Sequence, residues 1–410
     1  MATWGELEKA GTKWRDLEEM TWGELEEFCV INPKTKQIPD DMEVSFVPMQ
    51  SVSDTGAVQT DEVRKASEVK KGFTFFEEGD VLFAKITPCM ENGKGGIARG
   101  LKNGVGFGST EFHVLHPAPE KVSSEWLYYL TSWDEFRKQC ARNMTGSAGQ
   151  KRVPKSYLEH YKVHLPSLEE QRRIAAVLDK VSGLIAKRRE QLDKLDELLK
   201  ARFVEMFGDP VSNPHQYPIS QLSEYIEFLT SGSRGWSQYF SDDGEYFITI
   251  KNVKNCSISL EDVQYIKPPD NAEAVRTKVK DGDLLISITA DLGRTGVVTK
   301  EIADHGAYIN QHLTCIRLNR EKLNPLYVAY YMESLAGKMQ FNAKNQAGVK
   351  AGLNFNAINS LKLVVPPLEK QGLFVEFVSQ TDKSKLTIQQ SLDKLEVLKK
   401  ALMQQYFGGN

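Results

Sequence analysis

The sequence predicts an α+β chain with two globular domains and two long helices. The helices are expected to form an antiparallel coiled coil within an internal pseudo-two-fold repeat. The repeat appears first in a helix that occurs twice, since QLDKLDELLKAR at 191–202 returns as SLDKLEVLKKAL at 391–402. The same offset of 200 residues joins PSLEEQ at 166–171 to PPLEKQ at 366–371, and the helix ending MFG to YFG. Self-similarity at a fixed period indicates repeated structural units, so each half is one globular domain followed by one helix.

The globular part of each half has the pattern of short strands, turns and helices. GDVLFAKI and GDLLISIT are apolar runs opened by Gly-Asp turns, and FHVLHP and LTCIRLN alternate like strands. SSEWLYYLTSWDEFRKQC has the period of a helix. The predicted division is an acidic N-terminal extension at 1–20, a first globular domain at 21–165, a central helix at 166–208, a second globular domain at 209–365 and a C-terminal helix at 366–410.

The two copied segments carry the end signals of long helices. Ser167 and Glu170 have the spacing of a capping box behind Pro166, and Gly208 followed by Pro210 is a stop signal. A helix of about 39 residues is ~58 Å long, more than one globular domain needs. Packing of each helix on its own domain is the simpler alternative, but we favour pairing of the two helices. The predicted seam consists of apolar side chains three or four residues apart: Ile174, Leu178, Val181, Ile185, Leu192, Leu195 and Leu199, then Ile388, Leu392, Leu395 and Leu402.

Composition limits the classes of function. The five cysteines are scattered and form no C-x-x-C pair, so we expect reduced thiols without a disulfide framework or a zinc site. The N-terminus has charges where a signal peptide needs an apolar core, and no apolar run has membrane-spanning length. We therefore expect a soluble cytoplasmic protein. The net charge of −3 and the pI near 6.2 do not indicate nucleic-acid binding, so that function has to be argued from local charge.

Sequence signatures of catalysis are absent. The chain has no G-x-x-x-x-G-K-[ST] phosphate loop, no strand-linked G-x-G-x-x-G and no G-x-S-x-G elbow. The pairs His113/His116 and His160/His164 have ligand-like spacing, but the first lies on a predicted strand and the second just before a helix start. We therefore predict no catalytic residue, no metal site and no ATP site on this chain.

Two stretches without acidic residues occupy equivalent positions in the repeat. Residues 136–158 contain six basic side chains and no acid, and residues 334–368 contain four lysines and no acid. A solvated loop explains either one alone, but the recurrence in both halves favours contact with DNA. With the polar loops elsewhere in each half, the candidate DNA contacts are Thr87, Asn92, Lys94, Ser109, Thr110, Arg142, Asn143, Ser147, Gln150, Lys151 and Arg152, then Ser231, Ser233, Arg234, Trp236, Thr289, Arg294, Lys344, Asn345, Gln346 and Lys350.

Together these motifs resemble the specificity subunit of type I restriction-modification systems. The likeness is carried by VHLPSLEEQRRIAAVLD, by the ending MFGDP, by their repetition with LVVPPLEKQ, and by the loops GDVLFAKITPCMENGKGG, GFGSTEFHVL and TSGSRGWSQYF. The resemblance implies that each globular domain is a target-recognition domain that reads one half of a bipartite asymmetric site in double-stranded DNA. It also implies that the paired helices set the spacing and dock two modification subunits, which are adenine methyltransferases. S-adenosylmethionine, ATP and Mg are then expected only on partner subunits, including the restriction and motor subunits, and no cofactor on this chain.

Two other interpretations stay open at this point. The chain could be a coiled-coil scaffold without a DNA role, or a self-contained DNA methyltransferase or nuclease. The enzyme interpretation needs a cofactor or metal motif, and the nearest candidate, NPHQYP, lacks the catalytic aromatic of an Asn-Pro-Pro-aromatic loop. The sequence TWGELE occurs at 3–8 and again at 21–26, and it marks the first twenty residues as an extension that departs from the family pattern.

Overall fold

In the computed structural model, residues 21–147, 149–345 and 352–408 are described. The predicted extension at 1–20 therefore lies outside the described residues. Contacts divide the chain into two compact units: unit 1 is Met1–Lys187 with Ser391–Asn410, and unit 2 is Arg188–Gln390. This division passes through both long helices, and the domain boundaries set from the sequence remain a prediction. None of the helices in the described ranges combines the length and the apolarity needed to cross a bilayer.

Unit 1 holds, among its described residues, two four-stranded sheets and a two-stranded ribbon. Its strands are β1 (Thr21–Glu24), β2 (Cys29–Ile31), β3 (Glu43–Val47), β4 (Val63–Lys65), β5 (Thr74–Glu77), β6 (Val81–Ala84), β7 (Gly95–Ile97), β8 (Val105–Gly108), β9 (Phe112–Pro117) and β10 (Lys162–Leu165). Its shorter helices are α1 (Ala66–Val69), α2 (Ser124–Ser132), α3 (Asp134–Arg142) and α4 (Lys155–Glu159), with 3-10 turns at Leu25–Glu27, Met49–Ser51 and Lys102–Gly104. The strand orders are β2-β9-β6-β7, β4-β3-β8-β5 and β1-β10. Phe76, Leu82 and Phe112 belong to the buried core between the two larger sheets.

Unit 2 repeats the first sheet and the ribbon of unit 1, and its described residues add a second four-stranded sheet of different strand order and a further two-stranded sheet. Its strands are β11 (Ile219–Gln221), β12 (Ile226–Ser231), β13 (Phe240–Ser241), β14 (Glu245–Ile248), β15 (Val253–Lys254), β16 (Ser257–Ile258), β17 (Gln264–Ile266), β18 (Leu284–Ser287), β19 (Thr295–Val297), β20 (Ala307–Ile309), β21 (Leu313–Leu318) and β22 (Lys362–Val364). Its shorter helices are α6 (Ala272–Thr277), α7 (Lys300–His305), α8 (Pro325–Glu333), α9 (Leu335–Lys344) and α10 (Phe355–Asn359), with 3-10 turns at Leu222–Tyr225, Trp236–Tyr239 and Ile250–Asn252. The strand orders are β12-β21-β18-β19, β13-β17-β14-β20, β11-β22 and β15-β16. The first of these has the order of the β2-β9-β6-β7 sheet, and β14 pairs parallel with β20 as β3 does with β8.

The repeated Gly-Asp turn opens a central strand in each unit, as predicted. Gly79 and Gly282 have φ values of +88° and +80°, which glycine adopts without the steric cost of a Cβ. Asp80 and Asp283 follow them and are fully buried. The Oδ2 of each aspartate accepts the backbone N–H of the residue three positions earlier, at 2.8 Å in both units. The motif thus fixes the turn before β6 and before β18.

The two buried aspartates have different counter-groups. Asp80 Oδ1 lies 2.6 Å from His116 Nδ1, and burial raises the pKa of Asp80 above its ordinary value. Asp283 receives two hydrogen bonds from Arg317, at 2.8 and 2.6 Å. The same position in the repeat therefore holds a titratable partner in unit 1 and a permanent cation in unit 2.

The single helix predicted over SSEWLYYLTSWDEFRKQC was wrong in its continuity, because the segment forms two helices, α2 and α3. The chain leaves helical geometry at Trp133, where φ is −70° and ψ is 129°. The hydroxyls of Thr131 and Ser132 each donate to the carbonyl three residues earlier, at 3.0 Å, and such bonds compete with helix continuation. Unit 2 has the same break between α8 and α9, where the Ser334 hydroxyl donates to the carbonyl three residues earlier at 2.5 Å.

The two copied helices are α5 (Leu168–Phe207) and α11 (Leu368–Phe407), each of 40 residues. At the start of α5 the Ser167 hydroxyl accepts the N–H of Glu170 at 3.4 Å, whereas the Glu170 carboxylate bonds to Arg173, so only half of the predicted capping box forms. At its end Gly208 takes φ +78° and donates its N–H to the carbonyl four residues earlier at 2.8 Å.

A buried glutamine explains why PSLEEQ and PPLEKQ recur. Gln171 and Gln371 have no exposed surface. In each unit the side-chain carbonyl accepts the N–H of the N-cap residue of α2 or α8, at 2.9 and 2.8 Å. The side-chain amide donates to the carbonyl of the proline five residues earlier, at 2.9 and 2.8 Å. The glutamine therefore ties the first turn of the long helix to the globular domain.

Within each unit the two long helices run antiparallel. In unit 2 the end of α5 packs on the start of α11, and the ring centroids of Phe203 and Phe207 lie 5.4 and 5.6 Å from that of Phe374. In unit 1 the start of α5 faces the end of α11. There burial holds the pKa of the Tyr406 hydroxyl on α11 above its ordinary value, and the charge of Arg173 on α5 opposes part of that rise.

Most side chains predicted for the seam are buried, and the aromatic contacts between the two helices were not predicted. Ile174, Leu178, Val181, Ile185, Leu199, Leu392, Leu395 and Leu402 are buried, whereas Leu192, Leu195 and Ile388 are half-buried. Phe203, Phe207 and Phe374 were not predicted, yet they join the core of the globular domain of unit 2. The long helices therefore pack on a globular domain as well as on each other.

Candidate nucleic-acid interface

Three chain segments meet at one place in unit 1, which we call the loop junction of unit 1: residues 85–94 after β6, residues 109–111 before β9, and residues 143–147 with 149–154 between α3 and α4. Lys85 donates its backbone N–H to the Glu111 carbonyl at 2.9 Å and accepts that of Val153 at 2.9 Å. Thr87 donates its backbone N–H to the Lys151 carbonyl at 3.0 Å. The acid-free stretch found in the sequence is thus bonded through its backbone to the segment at 85–94, which is bonded in turn to the segment at 109–111.

Unit 2 builds the same junction from the equivalent segments. Ile288 donates its N–H to the His312 carbonyl at 3.0 Å and accepts that of Leu353 at 2.9 Å. The isolated bridge between Ile86 and Arg152 in unit 1 corresponds to that between Thr289 and Gly352. These bonds make His312 the counterpart of Glu111, and Gly352 the counterpart of Arg152.

The side chains displayed on this common backbone differ between the units. In unit 1 the Arg152 guanidinium bonds both oxygens of Glu111, at 2.8 Å each, and these bonds hold the pKa of the Glu111 carboxyl below its ordinary value. Beside the pair, burial lowers the pKa of Lys85.

The junction of unit 2 displays a chain of polar side chains that ends in the guanidinium of Arg234. Thr289 Oγ1 lies 2.7 Å from His312 Nδ1, and His312 Nε2 lies 3.4 Å from the Gln311 amide nitrogen. Gln311 Oε1 in turn accepts a bond from Arg234 Nε at 2.5 Å. One backbone arrangement therefore presents two different patterns of donors and acceptors.

Most candidate contacts in the first half reach the surface. Asn92, Thr110, Arg142, Asn143, Ser147, Gln150 and Lys151 are exposed, and Thr87, Lys94, Ser109 and Arg152 are half-buried. Several already have partners in the protein. Lys94 donates to the Met49 carbonyl at 3.3 Å, and Asn143 donates to the Gln139 carbonyl at 2.8 Å. Apart from Arg142, which lies at the end of α3, the candidates belong to the three junction segments, and the structure brings Thr87 to Lys151, whose N–H donates to the Thr87 hydroxyl at 3.2 Å.

In the second half the candidates are more scattered. Arg234 is exposed, and Ser231, Thr289, Arg294, Lys344 and Asn345 are half-buried. Arg294 donates to Asp291 Oδ2 at 2.5 Å, and Lys344 donates to the Ser360 hydroxyl at 2.7 Å. Gln346 and Lys350 lie outside the described residues. Among the described candidates, Arg234 and Thr289 join the side-chain network at the junction of unit 2, and Asn345 Oδ1 accepts the N–H of Gly352 at 3.3 Å.

Two candidates in the second half are interior side chains, which corrects their assignment as surface contacts. Trp236 is 4% exposed because it packs among Phe247 and Tyr308, and its indole N–H donates to Glu273 at 3.2 Å. Ser233 is 2% exposed, and its hydroxyl lies 3.1 Å from that of Thr277. Both side chains serve the core of unit 2, and neither belongs to the surface proposed below.

Sequence reasoning missed Glu111, Gln311 and His312. Each follows directly on a short polar loop, and nothing in local composition separates it from its neighbours. An alignment of the two halves strand by strand would have placed Glu111 and His312 at equivalent positions, since Ser109 and Asn310 correspond in it. Their side chains accept the N–H of Glu111 and of His312, at 3.2 Å in each case.

The histidines considered as metal ligands have protein partners. His113 Nε2 lies 2.8 Å from the Val153 carbonyl, and burial lowers its pKa to about 4. Among the described residues, Glu24, Glu26 and His160 bring possible ligand atoms within 4.8 Å of one another. His160 is exposed and pairs with Glu24 at 2.8 Å, an ordinary surface ion pair. The expectation of no metal site stays a prediction.

The two units thus share one backbone arrangement at the loop junction but display different side chains there, and a copied long helix follows each globular domain. The family model described as the type I restriction modification DNA specificity domain matches residues 17–196 and 232–399, and the chain belongs to this family. The resemblance stated from the sequence motifs is thereby confirmed.

Similar proteins carry the same description. The chain is 41% identical over 213 residues to the type I restriction enzyme EcoEI specificity subunit of Escherichia coli. This aligned region covers 51% of this chain and 36% of the EcoEI subunit. The chain is 43% identical over 154 residues to the EcoAI specificity subunit of Escherichia coli, covering 37% and 26%. The matches thus span about a third or less of these relatives. A chain solved in work on assembly and conformational transition of the type I R-M system shares the fold, with a TM-score of 0.57, 20% identity and coverage of 94% and 96%.

Proposed function

We propose that this chain is the non-catalytic DNA-specificity subunit of a type I restriction-modification complex. Each target-recognition domain reads one half of a bipartite asymmetric site in double-stranded DNA. The observation that carries this proposal is the loop junction, where equivalent backbone bonds present Arg152 with Glu111 in unit 1 but Thr289 with His312 in unit 2. Two domains of one design with different donor and acceptor patterns suit a target whose halves differ.

The proposed partners are two modification subunits, which are adenine methyltransferases, and the restriction and motor subunits that join through the complex. The paired helices are the proposed docking surface and spacer. This proposal is supported by apolar side chains that the helices leave exposed, namely Leu198 and Val204 on α5 and Leu373, Leu386 and Val397 on α11. Exposed apolar side chains on long helices are suited to burial by a partner.

The chain itself is proposed to bind no cofactor. S-adenosylmethionine, ATP and Mg belong to the partner subunits, in agreement with the lack of a phosphate loop or a methyltransferase motif in the sequence. We place the subunit in the cytoplasm, where its DNA target lies. Equilibrium dialysis of the purified chain against labelled S-adenosylmethionine tests the non-catalytic role, and saturable binding would contradict it.

The main test is co-expression of this chain with its modification subunit, followed by mapping of adenine methylation across the host genome. We expect a two-part motif with a fixed spacer that disappears when this chain is omitted. If a purified complex forms but no motif appears, the scaffold interpretation replaces the proposal.

The DNA contact itself can be tested with one exposed lysine. Lys151 lies in the junction loop, so Lys151→Ala should weaken binding of all sequences and lower the salt slope by about 1, because one fewer phosphate is neutralised. Lys65→Ala, an exposed lysine on β4, is the matched control and should leave the slope unchanged. Equal salt slopes for both variants and the wild-type complex would remove Lys151 from the interface.

The spacer role of the helices predicts a geometric effect. A heptad inserted after Gly183 in α5, with a matching heptad in the facing part of α11, preserves the apolar seam and lengthens the pair by about 10 Å at 1.5 Å per residue. The spacer in the methylated motif should then change while both half-sequences stay the same. An unchanged spacer would show that the helices do not set it.

A further inference from the structure

The guanidinium of Arg152 is held rigidly at the loop junction of unit 1. Its Nε and Nη2 donate to the two oxygens of Glu111 at 2.8 Å each, and its Nη1 donates to the Gln150 carbonyl at 3.1 Å. Within the described part of the chain these bonds use three of the five N–H groups of an arginine. One N–H therefore remains on each terminal nitrogen, Nη1 and Nη2.

Two adjacent N–H donors match one base edge in the DNA major groove. Guanine presents O6 and N7 as neighbouring acceptors, and a bidentate arginine is their commonest protein partner. Arg152 is suited to this task because its side chain is 41% exposed and its backbone is bridged to both Thr145 and Ile86. An arginine already fixed in orientation loses less conformational freedom when it binds.

The carboxylate of Glu111 also argues against a simple phosphate contact. Glu111 neutralises the charge of Arg152, so the pair gains little from the phosphate backbone, whose attraction depends on net positive charge. The Arg152–Glu111 pair can still select, by the geometry of its two remaining donors, a partner with two neighbouring acceptors. Lys151, the exposed neighbour in the chain, remains available for the phosphate.

Unit 2 lacks this device at the equivalent position. Gly352 replaces Arg152 and His312 replaces Glu111, although Ile288 makes the two backbone bonds that Lys85 makes in unit 1. A residue pair that stabilised the fold of the junction would be needed in both units. A pair that sets the base read at that position is expected to differ between them.

We infer that Arg152, oriented by Glu111, reads a guanine in the half-site recognised by unit 1. The inference rests on the proposed function and adds one base identity and its reader to it. Glu111 acts as a positioning residue, whereas Arg152 makes the base contact.

The first experiment compares adenine-methylation motifs made by complexes containing wild-type chain, Arg152→Ala, Arg152→Lys and Glu111→Gln. We expect one guanine in one half of the motif to become degenerate in all three variants, with the other half unchanged. Arg152→Lys keeps the charge but loses the two-pronged donor, so it should lose selectivity without losing overall binding. The matched control is Arg64→Lys, since Arg64 also pairs with a glutamate of unit 1, Glu62, on a strand away from the junction.

The second experiment needs no variant to fold well. In a duplex that carries the wild-type motif, the guanine in question is replaced by 7-deazaguanine, which lacks the N7 acceptor. Affinity of the wild-type complex should fall roughly tenfold to a hundredfold, because the replacement removes one of the two acceptors and leaves one donor of the charged guanidinium unpaired. The Arg152→Lys complex should respond to the replacement by less than about threefold, because the bidentate contact is already lost.

The outcomes separate the inference from the proposed function. A two-part wild-type motif that the Arg152 variants leave unchanged, or an affected half-site without a G·C pair, overturns the inference and leaves the proposed function standing. Equal sensitivity of wild-type and Arg152→Lys complexes to 7-deazaguanine also overturns it. Absence of any motif with the wild-type complex removes the proposed function and the inference together.

Discussion

Phe374 is the side chain whose truncation most directly tests helix packing in unit 2. It is fully buried, and the ring centroids of Phe203, Phe207 and Tyr330 lie 5.4, 5.6 and 4.9 Å from its own. Phe374→Ala gives up ~1.5–3 kcal/mol for transfer of the ring from water and leaves a cavity as well. The sum for a buried phenylalanine is about 3–5 kcal/mol. We expect the free energy of opening of this part of unit 2 to fall by that amount.

Native-state hydrogen exchange read by mass spectrometry measures the effect in the intact chain. In peptides from the start of α11, protection should fall by roughly two to four decades, since 1.36 kcal/mol corresponds to one decade. The control is Leu373→Ala, which truncates the adjacent side chain, 55% exposed, and should cost less than about 1 kcal/mol. A double-mutant cycle with Phe203→Ala should give a coupling of about 0.5–1.5 kcal/mol. Equal effects of the Phe374 and Leu373 variants would refute the packing of α5 on α11.

Three further predictions concern buried polar groups. Burial lowers the pKa of His113 from 6.5 to about 4, so the unfolded chain binds more protons than the folded chain between these pH values, and the free energy of unfolding falls on acidification. Lowering the pH from 7 to 5 should reduce the free energy of unfolding, measured in urea, by ~2 kcal/mol. The His113→Gln variant should not show this reduction. Asp283→Asn removes the fully buried carboxylate that pairs with Arg317, and it should lower the free energy of unfolding by about 3–5 kcal/mol. Asp281→Asn removes a carboxylate from an exposed ion pair and should lower it by less than about 1 kcal/mol in the same assay. Gln371→Leu leaves two backbone groups unpaired at the start of α11 and should cost about 2–4 kcal/mol, visible as faster exchange of the first turn.

The sequence located the repeated elements well because each rests on a local rule. The Gly-Asp turns need a glycine at positive φ and a carboxylate cap, and both are readable from two adjacent letters. The long helices have apolar side chains at helical spacing and a terminal glycine, so both predicted starts and the predicted end of the first helix lie within two residues of the observed ones. The break at Trp133 was missed, since it depends on Thr131 and Ser132 bonding back to the helix, which periodicity does not register.

The candidate interface was predicted at the level of loops only. Acid-free, glycine-rich stretches mark segments that can approach DNA, but they do not tell which side chains face outward. Trp236 has the composition of a stacking residue and lies in the core, because a neighbouring sheet and Glu273 enclose it. Glu111 was overlooked because an acidic residue is a poor DNA ligand by itself. Its role follows only from the contact with Arg152, 41 residues further along the chain.

The central claim is that two copies of one domain design each read their own half of the target. It is tested most directly by a chain in which residues 219–365 are replaced by a second copy of residues 21–165, joined at the equivalent strands β11 and β22. Expressed with the modification subunit, this chain should produce a methylated motif whose two halves have the same sequence. A motif that retains two different half-sequences would contradict the account, because base identity would then come from outside the globular domains.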